Sequence, residues 1–299
     1  MASLPAPLQE ALAEELHTCG DTSPIESARR VGGGDINQAA RLTTAQASYF
    51  VKWHAAAPPG FFEAEADGLR RLRAADCLRV PGVIGQRAAG GRRPAFLILE
   101  WLESPRGGKR GVGRELGEGL AAQHRHTQAQ FGLEIDNYIG SLPQPNTPDP
   151  SWIAFYRDSR LGAQRDQAAQ KGRLPPERAR RLDKLMGTLN SWIDDDAVQP
   201  SLLHGDLWGG NYMLGPNGEP VLIDPAVYYG DREIELAMTR LFGGFSSDFY
   251  AAYQAAYPLL PGHEERVSLY QLYHLLTHLN LFGESYGGSV DSILRRYVG

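Results

Sequence analysis

Two neighbouring segments constrain this chain more than any other part of it. Residues 203–211 read LHGDLWGGN and residues 221–225 read VLIDP. The first segment contains the pattern D-x-x-x-x-N from Asp206 to Asn211, and in the second Asp224 follows a short apolar run typical of a buried strand. Asp and Gly are also common in ordinary turns, so either segment alone is weak evidence. The two together, in this order, indicate a chemical site.

The spacing of these residues matches a known arrangement for phosphoryl transfer. In the catalytic loop of protein kinases the Asp accepts the proton of the substrate hydroxyl, and the Asn binds a metal ion. Mg²⁺ prefers oxygen ligands and needs few protein side chains, because it keeps waters and phosphate oxygens. We therefore predict that Asp206 is the general base and that Asn211 and Asp224 are magnesium ligands. We expect His204 to brace the loop through hydrogen bonds.

Composition and charge exclude several function classes. The chain has 299 residues and 42% hydrophobic residues, enough for one large domain or two lobes. Its net charge of −5 argues against a nucleic-acid partner. Cys19 and Cys77 form no CxxC motif, which predicts neither a disulfide framework nor a zinc site. The N-terminal region is acidic and no apolar run is long enough to span a bilayer, so we expect a cytoplasmic protein without a membrane partner.

Hydrophobic periodicity outlines the secondary structure. Leu residues at positions 8, 12 and 16 predict a short amphipathic helix. Alternating segments around 39–42 and 48–51 predict a hairpin whose start or tip carries the glycines of GGGDIN, with Lys52 ending its second strand. A helix is expected over 61–73 and buried strands over 96–99 and 221–223. Further helices are expected around three sets of leucines: 116 and 120; 182, 185 and 189; and 269, 272, 276 and 279.

This order predicts an α+β protein with two parts. Residues 1–102 form a small β-rich lobe that ends in a possible hinge strand, and residues 103–299 form a larger, mostly helical lobe. The basic segment 104–113 reads as the junction between the lobes, and the proline-rich segment 142–150 reads as an ordered loop.

The first lobe offers candidate nucleotide contacts. Backbone N–H groups of Gly32, Gly33 and Gly34 could approach phosphates closely, although three glycines also make a plain turn. Lys52 follows the glycines and precedes a helix with acidic residues, which is the order of the phosphate-binding lysine and its glutamate partner in kinases. We prefer Glu65 to Glu63 as that partner, because Glu65 borders the packed face of the predicted helix.

Three further features were weighed for chemistry. Glu100 and Leu102 follow the strand 96–99, where a hinge would offer backbone groups to adenine; an ordinary strand end is the alternative. Trp208 could stack on a sugar, or fill the core. His124 and His126 are two positions apart on a predicted helix and face different directions, so we assign them no metal.

Longer stretches of the sequence resemble the fructosamine kinase (ketosamine-3-kinase) family. The stretches are LLHGDLWGGN, VLIDPAVYYGDREIELAMTRLFGGF, FGLEIDNYIGSLPQPN, the RLGAQ at 160–164, the GGGDIN loop and FFEAEADGLRRL. The resemblance runs from about residue 31 to about residue 286. The HGD…D pattern is shared with aminoglycoside and choline phosphotransferases, whereas HGDLWxGN with DNYIG and YYGDREIELA is more specific.

The resemblance implies a bilobal, protein-kinase-like fold and a reaction. The implied reaction is ATP- and Mg²⁺-dependent phosphorylation of the 3-hydroxyl of a ketosamine, free or on a protein lysine, giving an unstable product and hence deglycation. Gly32 to Asn37, including Ile36, would cover the phosphates, and Trp208 would line the sugar site. Some family members carry a redox-sensitive cysteine in the glycine loop, where this chain has Asp35, so we expect no such switch.

Two alternatives remain open at this point. A relative that phosphorylates an aminoglycoside, choline or another hydroxyl would share the base and the metal ligands, and only the substrate pocket would differ. A nucleotide-binding relative with little turnover would keep the fold alone, although Lys52, Asp206, Asn211 and Asp224 are all present. We expect a monomer or a weak homodimer.

Overall fold

The structure is a computed structural model that describes residues 4–32, 37–105 and 111–299. The predicted nucleotide contacts Gly33, Gly34 and Ile36, as well as Asp35, lie outside the described residues. The chain separates into two compact units: Met1–Lys109 with Met213–Ile223, and Arg110–Tyr212 with Asp224–Gly299. Compared with the predicted boundary after residue 102, the first unit extends further along the chain and also contains a later segment.

The first unit is built on a five-stranded sheet whose neighbouring strands are all antiparallel, in the order β1-β2-β3-β5-β4. Strands β1 and β2 pair antiparallel, with Val31 opposite Ala39. A second, two-stranded sheet of β9 and β10 follows later in the chain. The strands are β1 (Ser27–Val31), β2 (Gln38–Thr43), β3 (Ser48–His54), β4 (Val83–Arg87), β5 (Ala95–Glu100), β9 (Tyr212–Leu214) and β10 (Pro220–Leu222).

Two helices complete this unit, α1 (Ala6–Thr18) and α2 (Phe61–Ala75). The predicted leucine face of α1 is confirmed, because Leu8, Leu12 and Leu16 are buried in one cluster with residues of the sheet. The predicted packed face of α2 is also confirmed, and the helix runs two residues beyond its predicted end. Asp76 is its C-cap, and the left-handed φ of 53° at this residue stops the helix.

Three boundaries differ from the prediction. Lys52 does not end its strand, because β3 continues to His54 and Lys52 lies inside it. The strand predicted over 221–223 is Pro220–Leu222 and excludes Ile223. Leu189 does not belong to the helix of residues 182 and 185, which stops at Met186, but to a short 3-10 turn that follows. Strand and helix ends are decided by backbone hydrogen bonds that apolar spacing does not reveal.

The second unit is mostly helical. Four short strands form two antiparallel pairs, β6 with β7 and β8 with β11. The strands are β6 (Asn137–Ile139), β7 (Leu142–Gln144), β8 (Ser201–Leu203) and β11 (Tyr228–Gly230), and the helices are α3 (Gly113–Gln123), α4 (Trp152–Phe155), a π-helical segment (Tyr156–Gly162), α5 (Ala163–Gln170), α6 (Pro176–Met186), α7 (Arg232–Leu241), α8 (Ser247–Ala256), α9 (His263–Phe282) and α10 (Gly287–Val298).

Helix α9 forms the centre of the core of this unit. Its predicted leucine face is confirmed, because leucines 269, 272, 276 and 279 are all buried. Trp152 packs against the same helix and donates a hydrogen bond from Nε1 to the Tyr270 hydroxyl at 2.9 Å. The π-helical segment places Arg160 inside this aromatic cluster. No helix in the described part of the chain is long and apolar enough to cross a membrane.

One buried histidine in α9 makes stability depend on pH. Burial lowers the pKa of His274 from 6.5 to about 3, and the charges of His278 and Arg160 act in the same direction. Below pH 6.5 the unfolded chain binds a proton that the folded chain does not, so the stability present above that pH is lost as the pH falls. This group should remove about 2 kcal/mol of the free energy of unfolding between pH 7 and pH 5.

We therefore expect His274→Gln to flatten the pH dependence of unfolding. Chemical denaturation at pH 7 and pH 5 should show the variant losing about 2 kcal/mol less than the parent protein. His17→Gln is the matched control, because His17 is exposed. Equal losses in the parent and in His274→Gln would contradict the assignment.

Candidate active site

The segment from His204 to Asn211 forms a loop that leaves the buried strand β8. Within it, the Asn211 side-chain nitrogen donates to the Asp206 backbone carbonyl at 2.8 Å and to its carboxylate Oδ2 at 3.1 Å. The Asp206 amide donates to His204 Nδ1 at 3.3 Å, as expected for a histidine that braces the loop. Asp206 and Asn211 are therefore held in direct contact by the loop itself.

Asp224 lies close enough to Asp206 for their charges to interact. Burial, followed by the charge of Asp224, raises the pKa of Asp206 well above its ordinary value, while the hydrogen bond from Asn211 lowers it. Asp224 is exposed and has a φ of 56°, one of two non-glycine residues with positive φ in the described chain. Such a conformation costs free energy, and it often marks a functional position.

The residues at this place fit a divalent cation. Both hydrogen bonds of the Asn211 nitrogen go to Asp206, which leaves the amide oxygen for another partner. That oxygen and the Asp224 carboxylate are the hard oxygen donors that Mg²⁺ prefers. A cation here would also offset the repulsion between the two aspartates. Among the described residues no three His, Cys, Asp or Glu side chains gather into a metal group, so any site here would rely on few protein ligands.

A buried glutamate, Glu235 of helix α7, holds the start of the loop. Its carboxylate accepts hydrogen bonds from the His204 amide at 3.2 Å, the Gly205 amide at 2.7 Å and His124 Nε2 at 2.8 Å. Burial alone would raise the pKa of Glu235, but the bond from His124, the charges of His124 and His204 and the bond from Gly205 outweigh it and leave the pKa lowered. The carboxylate is thus ionised in the interior and fixes two backbone amides of the loop.

The segment after Asp224 packs directly against this loop. The Ala226 amide donates to the His204 carbonyl at 2.8 Å. A Cβ on Gly205 would collide with the Ala226 carbonyl oxygen, and the φ of Gly205 is +87°, so only glycine is accommodated here. This contact sets the path of the chain from Asp224 relative to Asp206.

Side chains of the β6–β7 hairpin hold the same segment from the other side. Asn137 donates to the Val227 carbonyl at 2.7 Å, and Gln144 donates to the Ala226 carbonyl at 3.1 Å. Gln144 also donates to Asn137 Oδ1 at 2.7 Å and accepts from the Tyr273 hydroxyl at 2.5 Å. Sequence analysis missed Asn137, Gln144 and Glu235, although all three lie inside the stretches that carry the family resemblance.

The hydrogen-bond network around Asn137 ends at Arg160, which is not exposed to solvent. Arg160 donates to Asn146 Oδ1 and to the Pro145 carbonyl, both at 2.7 Å. Its guanidinium carbon lies 3.8 Å from the Tyr228 ring centre, a cation–π contact. Asn146 in turn donates to Asn137 Oδ1 at 2.9 Å. The π-helical turn is thereby linked to the segment that follows Asp224.

The first unit brings together two of the predicted nucleotide contacts. Lys52 Nζ lies 2.6 Å from Glu65 Oε1, and the two side chains are only 6% and 11% exposed. Lys52 is therefore not a solvated surface charge. A buried ion pair contributes little to stability, because desolvation offsets the attraction, so the burial of this pair favours a role in binding. That role stays a prediction.

The remaining predicted contacts of this unit lie along its strands. Gly32 is exposed directly after β1, and Asn37 is half-buried directly before β2. The Glu100 amide donates to the Gly82 carbonyl at 2.8 Å, so an adenine contact at Glu100 could not use that amide. The Glu100 carboxylate accepts from Arg79 at 2.8 Å. Leu102 is buried after the strand, and its contact with adenine stays a prediction.

Burial excludes one of the two interpretations of Trp208, and it shows the setting of His124. Trp208 is 40% exposed and does not fill the core. His124 is fully buried and bonded to Glu235 and to the Tyr253 hydroxyl at 2.8 Å each. His124 therefore has a structural role that supports the catalytic loop.

Comparison with known proteins identifies the family of this chain. The family model described as fructosamine kinase matches residues 8–299. The chain belongs to the fructosamine kinase family. A probable ketoamine kinase of Enterococcus faecium is 42% identical over 269 residues, covering 89% of this chain and 94% of the relative. A chloroplastic protein-ribulosamine 3-kinase of Arabidopsis thaliana is 39% identical over 303 residues, covering 97% and 88%.

Solved structures agree with this placement in the fructosamine kinase family. A predicted fructosamine-3-kinase from Haemophilus somnus superposes with a TM-score of 0.84 at 28% identity, covering 97% of this chain and 96% of that one. An aminoglycoside phosphotransferase in a ternary complex with ADP and hygromycin B has a TM-score of 0.64 at 16% identity, covering 98% and 100%, which supports the fold alone. The chain has the bilobal, protein-kinase-like α+β fold, with a small β-rich lobe and a larger helical lobe.

We expect Glu235→Gln to loosen the catalytic loop. An amide in place of the carboxylate can accept through only one of its two polar atoms, so at least one amide of the loop loses its partner. Hydrogen exchange of a peptide covering residues 203–211 should become about tenfold faster, which corresponds to one lost hydrogen bond.

The matched control is Glu233→Gln on the same helix. Glu233 is also buried, but it accepts hydrogen bonds from Arg266, at 2.7 and 2.8 Å, rather than from the loop. Exchange in residues 203–211 should stay at the parent rate in that variant. Equal acceleration in both variants would mean that the loop responds to general destabilisation and not to Glu235.

Proposed function

We propose that this protein is an ATP-dependent kinase that phosphorylates the 3-hydroxyl of ketosamines, the sugar adducts of amines such as lysine. The observation that carries the proposal is the contact between Asp206 and Asn211 beside Asp224, in a chain of the fructosamine kinase family. The product is unstable and releases the amine, so the enzyme would remove glycation from amines or proteins and act in protein repair.

In this proposal each site residue has one task. The Asp206 carboxylate accepts the hydroxyl proton as the hydroxyl oxygen forms its bond to the γ-phosphorus. The bond between that phosphorus and the oxygen that bridges to the β-phosphate breaks, and ADP leaves with the electron pair. Glu235 and Asn211 would hold the loop around Asp206 in place for this step.

Asn211 and Asp224 would hold Mg²⁺. When bound, the ion would neutralise charge on the phosphates. The Asn211 nitrogen keeps its bonds to Asp206, so that base and ligand stay at a constant separation. Lys52, positioned by Glu65, would pair with the α- and β-phosphates, and Gly32 to Asn37 would cover them. Leu102, with the strand end at Glu100, would face adenine.

The substrate class is supported by the relatives and by one side chain. Relatives at 39% and 42% identity are named as ribulosamine and ketoamine kinases. Trp208 lies two positions after Asp206 and is partly exposed, which suits stacking on a sugar. We further propose a cytoplasmic monomer or weak homodimer, in keeping with a sequence that has only two cysteines and no CxxC motif.

Asp206→Asn tests the proposed base. Turnover of ATP with a fructosamine or ribulosamine should fall by about 10²–10⁴-fold, because an amide cannot accept the proton, while the affinity for ATP stays within about twofold. Coupled ADP release with fructoselysine, ribuloselysine, kanamycin, choline and no acceptor measures both rate and specificity. Turnover by the parent protein on kanamycin or choline alone would move the substrate to the aminoglycoside or choline class.

Glu65→Gln tests the nucleotide contacts in the first unit. Loss of its charge should leave Lys52 poorly placed and raise the KM for ATP about tenfold, the equivalent of one weakened charged contact. Glu63→Gln is the control, because Glu63 lies on the same helix and was the alternative partner. Similar KM values in the two variants would exclude Glu65 from phosphate positioning.

A further inference from the structure

Exposed aromatic side chains concentrate on one surface of the second unit. Four large apolar side chains are exposed among the described residues: Ile135, Trp208, Phe242 and Phe282. All of them except Ile135 belong to one continuous series of ring contacts, and Phe282 is half exposed. Single exposed apolar residues are common in soluble proteins, but a contiguous group of them is not, and such groups mark binding surfaces.

The contacts define an aromatic strip formed by Trp208, Phe242, His278, Phe282 and Tyr286. Ring centres lie 6.4 Å apart between Trp208 and Phe242 and 4.6 Å apart between Phe242 and His278. His278 in turn lies 5.5 Å from Phe282 and 5.1 Å from Tyr286. The strip begins in the catalytic loop and leads away from it along the last turn of α9.

The end of the strip at the catalytic loop is built with close backbone packing. A Cβ on Gly210 would collide with the Trp208 ring, so the ring lies against this glycine. A Cβ on Gly244 would come within 2.8 Å of the Gly209 Cα, and the Tyr212 hydroxyl donates to the Gly244 carbonyl at 2.8 Å. The loop that carries Phe242 is thereby fixed against the loop that carries Trp208.

The side chains of the strip suit a ligand that carries a protonated amine and apolar carbon atoms. Ring faces attract cations, and the secondary amine of a ketosamine is protonated near neutral pH. His278 donates from Nδ1 to the His274 carbonyl at 2.8 Å, and its burial lowers its pKa, so the ring adds no opposing positive charge. The five rings together form a surface that is longer than a single sugar.

We propose that the aromatic strip beyond Trp208 binds the amine-side carrier of the ketosamine, namely the lysine side chain and adjoining peptide. This inference rests on the proposed function, because the strip receives a carrier only if the sugar is held at Asp206. It predicts that Phe242, Phe282 and Tyr286 determine whether a peptide-linked ketosamine is preferred over one on a small amine.

Two adducts of the same sugar test the proposal. One is the ribulosamine of methylamine, and the other is the ribulosamine of a lysine within a short blocked peptide. Phe282→Ala should raise the KM for the peptide adduct about tenfold, as expected for loss of one buried ring contact, and leave kcat and the KM for the methylamine adduct within about twofold. Ile135→Ala, an exposed apolar side chain outside the strip, should change neither KM.

Each other result overturns the inference in a distinguishable way. Equal KM changes on both adducts would show that Phe282 does not distinguish between the carriers. Unchanged KM values on both adducts would show that the strip does not bind substrate. Unchanged KM values together with dissociation of a dimer, measured by sedimentation, would make the strip a contact between copies of the chain. No ATP turnover by the parent protein with either adduct would overturn the proposed function and the inference together.

Discussion

The interior charge of Glu235 is the interaction on which the arrangement of the site depends. Burying a carboxylate is unfavourable unless hydrogen bonds replace the water it loses. Here those bonds come from His124 and from the amides of His204 and Gly205, the two residues before Asp206. The same bonds that stabilise the buried charge also fix the backbone that carries Asp206, the proposed base. One side chain therefore contributes both to stability and to the geometry of the site.

A second set of buried polar groups holds the segment that follows Asp224. Gly205 and Ala226 pack backbone against backbone, and Asn137 and Gln144 hold the next carbonyls. Because every one of these bonds is buried, shifting Asp224 would leave several polar groups without partners. The positive φ of Asp224 is maintained in this setting, and the two aspartates stay close despite their repulsion.

The fold and the catalytic loop could be predicted from sequence, whereas the side chains that hold the loop in place could not. The spacing of apolar residues identified α1, α2 and α9, because burial of one helix face leaves a regular pattern. The D-x-x-x-x-N pattern identified Asp206 and Asn211, because a spacing of five positions within one loop already restricts the distance between them. Glu235 escaped detection because it lies beside Arg232 and Glu233, and three charged residues in four positions look like a solvated helix start. Asn137 and Gln144 escaped detection because they act where the β6–β7 hairpin contacts Ala226 and Val227, which are distant in sequence.

The central claim is that the γ-phosphate of ATP is transferred to one hydroxyl of a ketosamine, next to Asp206. The most direct measurement is phosphorus-31 NMR, correlated with sugar protons, on a reaction of the protein with Mg-ATP and fructoselysine or ribuloselysine. Early in the reaction the account predicts ADP and a phosphorylated product whose phosphorus couples to the proton at carbon 3. Inorganic phosphate that forms at the same rate with and without the ketosamine, or coupling to a proton at another carbon, would contradict it.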